Sequence, residues 1–389
     1  MSRILLVWEL GDNLGHVGGF IPLARELRRR GHEPILVLRD LSRVHTLLPA
    51  LDIPVLQAPL WQGAGRVDQP LNYAEILLNY GFMHSDALCS MINAWRNLFI
   101  LAAAELIIFD HAPTALLASR GLNVARALFG TGFYSPPRSS PFPAMRRWQQ
   151  HDPIQLLRNE AQVLASANIA LQHSNTQPMN KLSELFEVDE DFLCTLPEFD
   201  HYPGRKARYW GPRYAYGSGH RPVWPEGTGK RIFAYLDKNY VHLDLLLQAL
   251  AASASRVLIY APGLSVQHTY ANLTFLADSV DFDKLDCDVG ICHAGHGTTS
   301  ALLLCGIPLL LLPGQLEQYL LALNIQEMGA GLLVNPETQG KNYQIPLNRL
   351  LTEDGFTQRA QQFAARYVHQ SPQQRMNNIV DRCEELLVR

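Results

Sequence analysis

The chain has 389 residues, a length that favours two domains over a single core. Hydrophobic residues make up 47% of it and charged residues only 18%, which supplies a large buried core and excludes a disordered or fibrous protein. With 33 Lys and Arg against 36 Asp and Glu, the net charge is -3, so the chain has no excess of basic residues of the kind that nucleic-acid-binding proteins carry.

The first half of the chain alternates short apolar runs with segments of helical period. Residues 4–8 and 34–38 predict strands, and residues 17–30 predict an amphipathic helix between them. A further strand is predicted at residues 106–109, directly before Asp110. This order of strands and helices is typical of a parallel sheet that is covered on both faces.

The composition changes at residues 203–229, where Pro, Gly, Trp, Tyr and Arg crowd together as in an interdomain linker. Beyond it the alternation begins again, which predicts a second domain of strands and helices. The predicted strands are 231–236, 256–261, 274–276, 289–292 and 308–312, and the predicted helices are 242–252 and one that begins near 297. The tail, residues 373–389, has the apolar spacing of one amphipathic helix.

Six cysteines are scattered through the chain in mostly apolar surroundings, which favours reduced core thiols and a cytoplasmic protein. No apolar run reaches the roughly 20 residues that span a bilayer, so no transmembrane segment is expected. A group of arginines near the first helix could face anionic lipid head groups in a peripheral membrane contact, or simply form a solvated helix end. These arginines are Arg25, Arg28, Arg29, Arg30 and Arg43.

The most informative segment is residues 289–300, where a buried strand runs into a turn of Gly, His, Thr and Ser and then into a leucine-rich helix. Backbone N–H groups at such a helix start, with the helix dipole and hydroxyl donors, form an anion site suited to a diphosphate. The spacing matches neither a Walker loop nor a dinucleotide G-x-G-x-x-G motif. The candidate diphosphate-binding residues are His293, Gly295, Gly297, Thr298 and Thr299.

This segment and the residues after it resemble the donor-site signature of family-one, UDP-glycosyltransferase-like nucleotide-sugar glycosyltransferases. The resemblance implies that His293, Gly297 and Thr298 touch the nucleotide diphosphate. It also implies that Glu317 and Gln318 bind hydroxyls of the donor sugar, a task that a carboxylate and an amide can perform. A surface Glu-Gln pair in a loop is the alternative. The matching residues are His293-Ala-Gly-His-Gly-Thr298, Cys305-Gly-Ile-Pro308, Leu312-Pro313, Glu317-Gln318 and Gly329-Ala-Gly331.

Three positions depart from the family's pattern. The Glu that would accept from the donor ribose is replaced by Ala301, which makes a dTDP-sugar a hypothesis beside a UDP-sugar. The aspartate usual before Gln318 is Glu317. The base-packing segment appears only as residues 280–285, where Phe282 could stack on the base or fill the core. The resemblance therefore leaves the base and the sugar of the donor open.

After the first strand, a glycine-rich segment carries His16 in the position of the family's catalytic base. An imidazole, with an ordinary pKa of about 6.5, can take the proton of an acceptor hydroxyl at neutral pH. Asp110, at the end of a predicted strand, would hold the other ring nitrogen and stabilise the imidazolium. Helix capping by either residue is the alternative, and His111 is a less favoured candidate for the orienting group.

Acceptor recognition is expected in the first domain, at residues 60–81 and 130–137. Aromatic and glycine residues there suit a partly apolar ligand, and they equally suit a packed loop. No histidine spacing indicates a metal site, and no cofactor is expected, since the helix start and His293 would replace a divalent ion at the diphosphate. The candidate acceptor-contacting residues are Gly15, Trp61, Tyr80 and Phe133.

The resemblance implies an α/β protein of the GT-B fold, with two Rossmann-like, doubly wound domains that face a cleft. Residues 1–214 would bind a small-molecule, lipid or glycan acceptor, and residues 215–372 the nucleotide-sugar donor, with residues 373–389 packing back on the first domain. The implied hexosyltransferase reaction proceeds with inversion, His16 being the general base. A nucleotide-sugar epimerase and a non-catalytic partner protein of transferase shape are the alternatives. Ala301, and Asp237-Lys238 in place of the family's Gly-Ser turn, permit the latter.

Overall fold

The structure of the chain is a computed structural model that describes residues 1–11, 15–42, 44, 52–65, 67–214, 219–265, 270–335, 342–369 and 371–388. The chain divides into two compact units. The first comprises Met1–Gly211 and Gln373–Arg389, and the second comprises Pro212–Pro372. The boundary predicted between residues 214 and 215 adjoins residues 215–218, which lie outside the described residues. None of the described helices is long and apolar enough to cross a membrane.

Both units alternate strands with helices, and each predicted element is present with its ends shifted by at most two residues. The strands are β1 (Arg3–Trp8), β2 (Glu33–Leu38), β3 (Val55–Gln57), β4 (Leu106–Asp110), β5 (Ala125–Gly130), β6 (Glu190–Leu193), β7 (Arg231–Tyr235), β8 (Arg256–Tyr260), β9 (Leu273–Leu276), β10 (Val289–Cys292), β11 (Leu309–Leu311) and β12 (Gly331–Leu333). The α-helices are α1 (Gly15–Arg29), α2 (Tyr73–Leu78), α3 (Ser85–Leu101), α4 (Pro113–Ser119), α5 (Pro153–His173), α6 (Leu243–Ala251), α7 (His296–Leu304), α8 (Leu316–Glu327), α9 (Gln344–Thr352), α10 (Asp354–Tyr367) and α11 (Pro372–Leu387).

The first unit contains a parallel six-stranded sheet in the order β3-β2-β1-β4-β5-β6. Residues 4–7 of its central strand β1 are buried on both faces, which explains the unbroken apolar run in the sequence. The chain passes from β1 to β2 on one side and returns to β4 on the other, so the strand order reverses between β1 and β4. In open α/β sheets a crevice forms there, beyond the carboxyl ends of the two strands.

Helix α1 packs one apolar face on this sheet. Gly31 follows the helix with φ of +87°, a left-handed conformation that glycine adopts without strain and that ends the helix. The buried side chains recur every three or four residues, as the helical period requires. They are Val17, Phe20, Leu23, Ala24 and Leu27.

The last helix, α11, packs on the same core of the first unit. At the end of α1, the Arg30 guanidinium contacts Asp381 and Glu384 of α11, and so ties the two helices together. The tail is therefore held by an apolar face and by an ion-pair network. Its buried side chains are Met376, Ile379, Val380, Cys383 and Leu386.

Acidic neighbours accompany much of the predicted arginine cluster. Arg28 contacts Asp52, and Arg29 contacts Glu26 on its own helix. Arg43 lies outside the described residues. Peripheral contact with a membrane stays a prediction.

The second unit repeats the architecture with a parallel six-stranded sheet in the order β12-β11-β10-β7-β8-β9. Here the strand order reverses between β7 and β10, whose last residues, Tyr235 and Cys292, are register partners. The segment predicted to bind a diphosphate follows β10 directly. Each unit, taken by itself, is a Rossmann-like, doubly wound domain, as the fold prediction stated.

Candidate active site

His16 and Asp110 meet at the strand-order reversal of the first sheet. Asp110 ends β4 and is the register partner of Trp8, which ends β1. His16 is the second residue of α1, and its Nδ1 lies 2.8 Å from Asp110 Oδ2. The two residues are 6% and 0% exposed. A carboxylate at this distance favours the tautomer with the proton on Nδ1, which leaves Nε2 as the nitrogen that can accept another proton.

The Nε2 side of His16 faces a bare stretch of backbone. Gly11 has φ of +88°, and a Cβ on it would lie 2.8 Å from His16 Nε2. Trp8 stacks on the imidazole with ring centroids 5.1 Å apart, and the Tyr134 ring lies 5.3 Å away at a tilt of 45°. Both aromatic side chains therefore pack on the imidazole, and the absence of a side chain at Gly11 leaves room for the ring at Nε2.

Tyr134 belongs to the loop after β5, which a buried cation holds in place. Arg205 donates from Nη1 to the carbonyl of Ser135 (2.6 Å) and from Nη2 to the carbonyl of Gly132 (3.2 Å). The same guanidinium donates to Asp200 Oδ1 (3.2 Å). The backbone is therefore fixed on both sides of Tyr134, and its ring is held beside the imidazole.

Glu9 is a buried carboxyl directly after β1. Its Oε2 accepts the backbone N–H groups of Thr114 (2.9 Å) and Ala115 (3.2 Å), at the start of α4. Burial raises the pKa of Glu9 to about 7, although these hydrogen bonds act in the opposite direction. Glu9 therefore holds the start of the helix that follows Asp110, and its charge changes near neutral pH.

The predicted diphosphate turn lies at the strand-order reversal of the second sheet. Between β10 and α7, Ala294 has φ of +57°, a left-handed conformation that is uncommon outside glycine and turns the chain sharply into the helix. The N–H groups of Gly297 and Thr298, in the first turn of α7, have no acceptor within the helix. Both residues are half-buried, so these donors and the positive end of the helix dipole lie where an anion can reach them.

His293, the first residue of this turn, contacts the end of β7. Its ring lies edge-on to Tyr235 with centroids 5.2 Å apart. Burial lowers the pKa of His293 below its ordinary value, although Asp237 raises it in part. The ring is therefore neutral at pH 7 and offers one N–H donor. A Cβ on Gly295 would lie 3.1 Å from His293 Nε2, which explains the glycine at that position.

Thr299 is not brought to the surface of the turn. Its side chain is completely buried, and its hydroxyl lies 3.6 Å from Cys292 Sγ. Its backbone N–H donates to the carbonyl of Gly295 (3.0 Å), which is the first hydrogen bond of the helix. Thr299 therefore lies in the interface between α7 and β10, whereas Thr298 lies at the outer side of the helix start.

Glu317 and Gln318 lie in the first turn of α8. Gln318 is buried, and its Oε1 accepts the backbone N–H of Gly314 (2.8 Å). The amide thereby closes the loop before α8, and its NH2 group is the part that can donate to a ligand. Glu317 is half-buried in the same turn.

Several solved structures are similar to this chain over its whole length. The spinosyn forosaminyltransferase SpnP shares 17% of residues at a TM-score of 0.67, with 100% of both chains covered. The glycosyltransferase VinC, in complex with dTDP, shares 15% at a TM-score of 0.71, with 99% of both chains covered. The glycosyltransferase SsfS6 of Streptomyces sp. SF2575, complexed with thymidine diphosphate, shares 16% at a TM-score of 0.66, with 98% of this chain and 100% of that chain covered.

These neighbours share the architecture of two parallel-sheet units. The chain has the GT-B fold. No model of a known protein family and no curated protein sequence matches it, so the likeness is one of structure. Within this GT-B chain, the first unit carries the His16–Asp110 pair at its strand-order reversal, and the second carries the His293 turn at its own.

Two of the predicted acceptor-contacting residues lie close to the His16–Asp110 pair of the first unit. Gly15 is exposed as the first residue of α1, and a Cβ on it would meet no described atom within 4 Å. Phe133 is 6% exposed and packs edge-on against Tyr134 and His201. The residue of this loop that reaches His16 is therefore Tyr134.

The other two predicted acceptor contacts lie on a different segment. Trp61 stacks on His84 with centroids 5.2 Å apart, and Gly81 lies against its ring. Tyr80 is half-buried. Neither ring contacts His16 in the part of the chain that the structure describes.

Two of the positions that depart from the family's pattern, Ala301 and Phe282, lie in packed parts of the second unit. Ala301 is 2% exposed on α7. Phe282 is half-buried and packs edge-on against Phe233 of β7 at 5.9 Å, which favours the core-filling interpretation. In the described residues, no group of three or more His, Cys, Asp or Glu side chains is placed to hold a metal ion. All six cysteines are free thiols.

Trp8 was missed by the sequence predictions, and Gly11 and Tyr134 were given no role of their own, although they lie in the glycine-rich segment before His16 and in the predicted acceptor segment 130–137. Each lies at or just after the carboxyl end of a strand, β1 for the first two and β5 for the third. Because these strands are parallel, the residues that follow them converge at one edge of the sheet. That position in the chain marks the three segments, whereas the individual contacts with His16 depend on the folded chain.

Proposed function

We propose that this protein is a glycosyltransferase that moves a sugar, with inversion, from a nucleotide diphosphate sugar to an acceptor hydroxyl. The observation that carries the proposal is the 2.8 Å contact between His16 Nδ1 and Asp110 Oδ2 in a GT-B chain. An imidazole held by a carboxylate is a general base that takes the hydroxyl proton as the oxygen attacks the anomeric carbon. In-line displacement of the diphosphate by that oxygen inverts the anomeric centre.

The turn of the second unit is proposed to stabilise the leaving diphosphate. As the glycosidic bond breaks, negative charge grows on the diphosphate. The N–H groups of Gly297 and Thr298, the helix dipole and the neutral His293 ring are donors for that charge. Because these groups belong to the chain, the proposed reaction uses no metal or cofactor.

The proposed donor is a dTDP-sugar. The resemblance implies a carboxylate at position 301 that accepts a hydrogen bond from a ribose hydroxyl, but the Ala301 side chain has no acceptor. A deoxyribose has one hydroxyl fewer and therefore needs one acceptor fewer. VinC and SsfS6, which share the fold, are both in complex with thymidine diphosphate. Glu317 and the Gln318 NH2 group are proposed to bind hydroxyls of the sugar.

A single methyl group tests the donor site. A Cβ on Gly297 would meet its nearest described neighbour at 3.5 Å, an ordinary contact, so Gly297→Ala should fold normally and cover the helix start. We expect its dTDP affinity, measured by calorimetry, to fall about tenfold or more, since at least one hydrogen bond to the diphosphate is lost. Gly355→Ala is the matched control, because that exposed glycine of α10 has no described atom within 4 Å of a Cβ.

The two variants give separable results. Equal dTDP affinity in Gly297→Ala and Gly355→Ala would remove the turn from the donor site. Tighter binding of UDP than of dTDP by the unmodified protein would contradict the deoxyribose donor and leave the turn assignment standing.

A further inference from the structure

His111, the residue after Asp110, is a buried histidine to which the proposed reaction gives no task. It is 7% exposed, and neither of its ring nitrogens makes a hydrogen bond of normal distance and angle in the described residues. A buried polar atom without a partner destabilises the folded chain. Such an atom in a native site requires an explanation, and one explanation is a ligand atom that completes the hydrogen bond.

The His111 ring lies close to the ring of the proposed base. Its centroid lies 6.3 Å from that of His16. A Cβ on Gly11 would lie 2.8 Å from His16 Nε2 and 3.3 Å from His111 Nδ1. Both nitrogens therefore lie against the backbone of the same glycine, so two groups that hydrogen-bond them would be neighbours.

The surrounding side chains hold His111 in a neutral form and a fixed position. Its ring stacks on Tyr134 with centroids 3.8 Å apart, and Tyr134 lies in the loop that Arg205 holds. Burial holds the pKa of His111 well below its ordinary range, and the neighbouring His16 lowers it further, although Asp110 and a contact with the backbone of Leu10 act in the opposite direction. The neutral ring offers one donor and one acceptor nitrogen.

A second buried polar group faces the same ring. Tyr73 is 0% exposed, its hydroxyl has no hydrogen-bond partner among the described residues, and its ring lies 6.0 Å from that of His111. The backbone of His111 has φ of +44°, a left-handed conformation in which His and Asn are more frequent than other non-glycine residues. Asn at position 111 should therefore keep the backbone conformation while it withdraws the ring.

We propose that His111 is an acceptor-contacting residue that hydrogen-bonds an oxygen adjacent to the hydroxyl that His16 deprotonates. The inference rests on the proposed function and narrows the acceptor to compounds with two neighbouring oxygens, such as catechols and vicinal diols. A ligand with only one hydroxyl leaves His111 unpaired, and a site built to hydrogen-bond an oxygen discriminates against the analogue that lacks it.

The test compares two planar probes that differ by one oxygen, 7,8-dihydroxy-4-methylcoumarin and 7-hydroxy-4-methylcoumarin. Both probes are planar and share the same ring system, so the added oxygen is the difference between them. Their dissociation constants are measured by equilibrium dialysis on the full chain, without donor. We expect the unmodified protein to bind the diol about tenfold more tightly, as one added hydrogen bond provides.

His111→Asn and His111→Phe should both bring the ratio of the two dissociation constants close to one by weakening the diol alone. The first keeps the backbone conformation, and the second keeps an aromatic ring to stack on Tyr134. His151→Asn, at an exposed position, should keep the full preference. A purely structural role of His111 would weaken both probes equally and leave their ratio unchanged.

Equal affinity for the two probes in the unmodified protein, no binding of either, or a preference that persists in both His111 variants would overturn the proposal. Because no donor is present, the result is independent of catalysis. A diol preference that depends on His111 in a protein without transferase activity would overturn the proposed function and leave the site standing.

Discussion

Gly11→Ala should block the proposed base and leave the donor site untouched. The added methyl group would lie 2.8 Å from His16 Nε2, a separation that real Cβ atoms essentially never show. His16 has little room to retreat, because Asp110 holds its Nδ1 at 2.8 Å and Trp8 stacks on its ring. The methyl group therefore covers the nitrogen that must accept the acceptor's proton.

Two effects of this substitution differ in size and can be separated. An alanine at φ of +88° costs about 1–2 kcal/mol of stability, whereas general-base catalysis contributes about 100-fold to 10,000-fold in rate. Gly31→Ala is the matched control. Gly31 has φ of +87°, and a Cβ on it would meet no described atom within 4 Å, so this variant carries the same backbone cost without the contact.

Urea unfolding should show a loss of about 1–2 kcal/mol in Gly31→Ala and a larger loss in Gly11→Ala, which carries the contact with the imidazole in addition to the backbone cost. Initial rates of transfer from a dTDP-sugar to 7,8-dihydroxy-4-methylcoumarin should fall about 100-fold or more in Gly11→Ala and by less than about twofold in Gly31→Ala. Calorimetry should show that both variants bind dTDP with the same affinity as the unmodified protein. Equal transfer rates in the two variants would refute the assignment of Nε2 as the working nitrogen.

Three further predictions follow from the site. Asp110→Asn should lower kcat by about 100-fold to 10,000-fold at unchanged dTDP affinity, because an amide 2.8 Å from Nδ1 does not stabilise the imidazolium; an unchanged kcat contradicts this. Because the folded pKa of Glu9 is about 7 against an ordinary 4.5, its contribution to stability is full below pH 4.5 and is lost as the pH rises through 7, by about 3 kcal/mol at most. Glu9→Gln should remove that loss, which urea unfolding of the unmodified protein and the variant at pH 5 and pH 8 will measure. The same change in the free energy of unfolding between the two pH values in both proteins would refute the prediction. Excess EDTA should leave the transfer rate unchanged, and a rate restored only by added Mg²⁺ or Mn²⁺ would show that the charge of the diphosphate needs a metal.

The order of strands and helices was predictable because buried parallel strands appear in the sequence as short continuous apolar runs. The apolar run at residues 4–8 and the run at 289–292 are β1 and β10, the strands on which both candidate sites are built. Asp110 was predictable for a related reason, whereas the role of His16 was implied by the family resemblance. Asp110 directly follows an apolar strand, and the ends of parallel strands are where doubly wound sheets place polar side chains.

Choices between adjacent residues were not predictable from the sequence. Thr298 and Thr299 have the same chemistry, and only the rotation of α7 against β10 places one outside and the other against Cys292. Phe133 and Tyr134 are likewise neighbours. The loop that turns Tyr134 toward His16 is held by Arg205, about seventy residues further along the chain, and no local pattern marks that contact.

The contact between Gly11 and His16 had no local signal either. A glycine after a strand is common, and its need for a bare Cα arises only when the chain folds and brings the imidazole against it. Contacts of this kind depend on distances across the sheet edge, which composition and periodicity do not record.

The central claim is that His16 is the base of a sugar transfer. Its most direct test is the initial rate of transfer from a dTDP-sugar to 7,8-dihydroxy-4-methylcoumarin by the unmodified protein and by His16→Ala, with dTDP affinity measured on both. We predict dTDP affinities that agree within about twofold, a product with inverted anomeric configuration, and a rate at least about 100-fold lower in the variant. Transfer by His16→Ala at the rate of the unmodified protein would contradict the account.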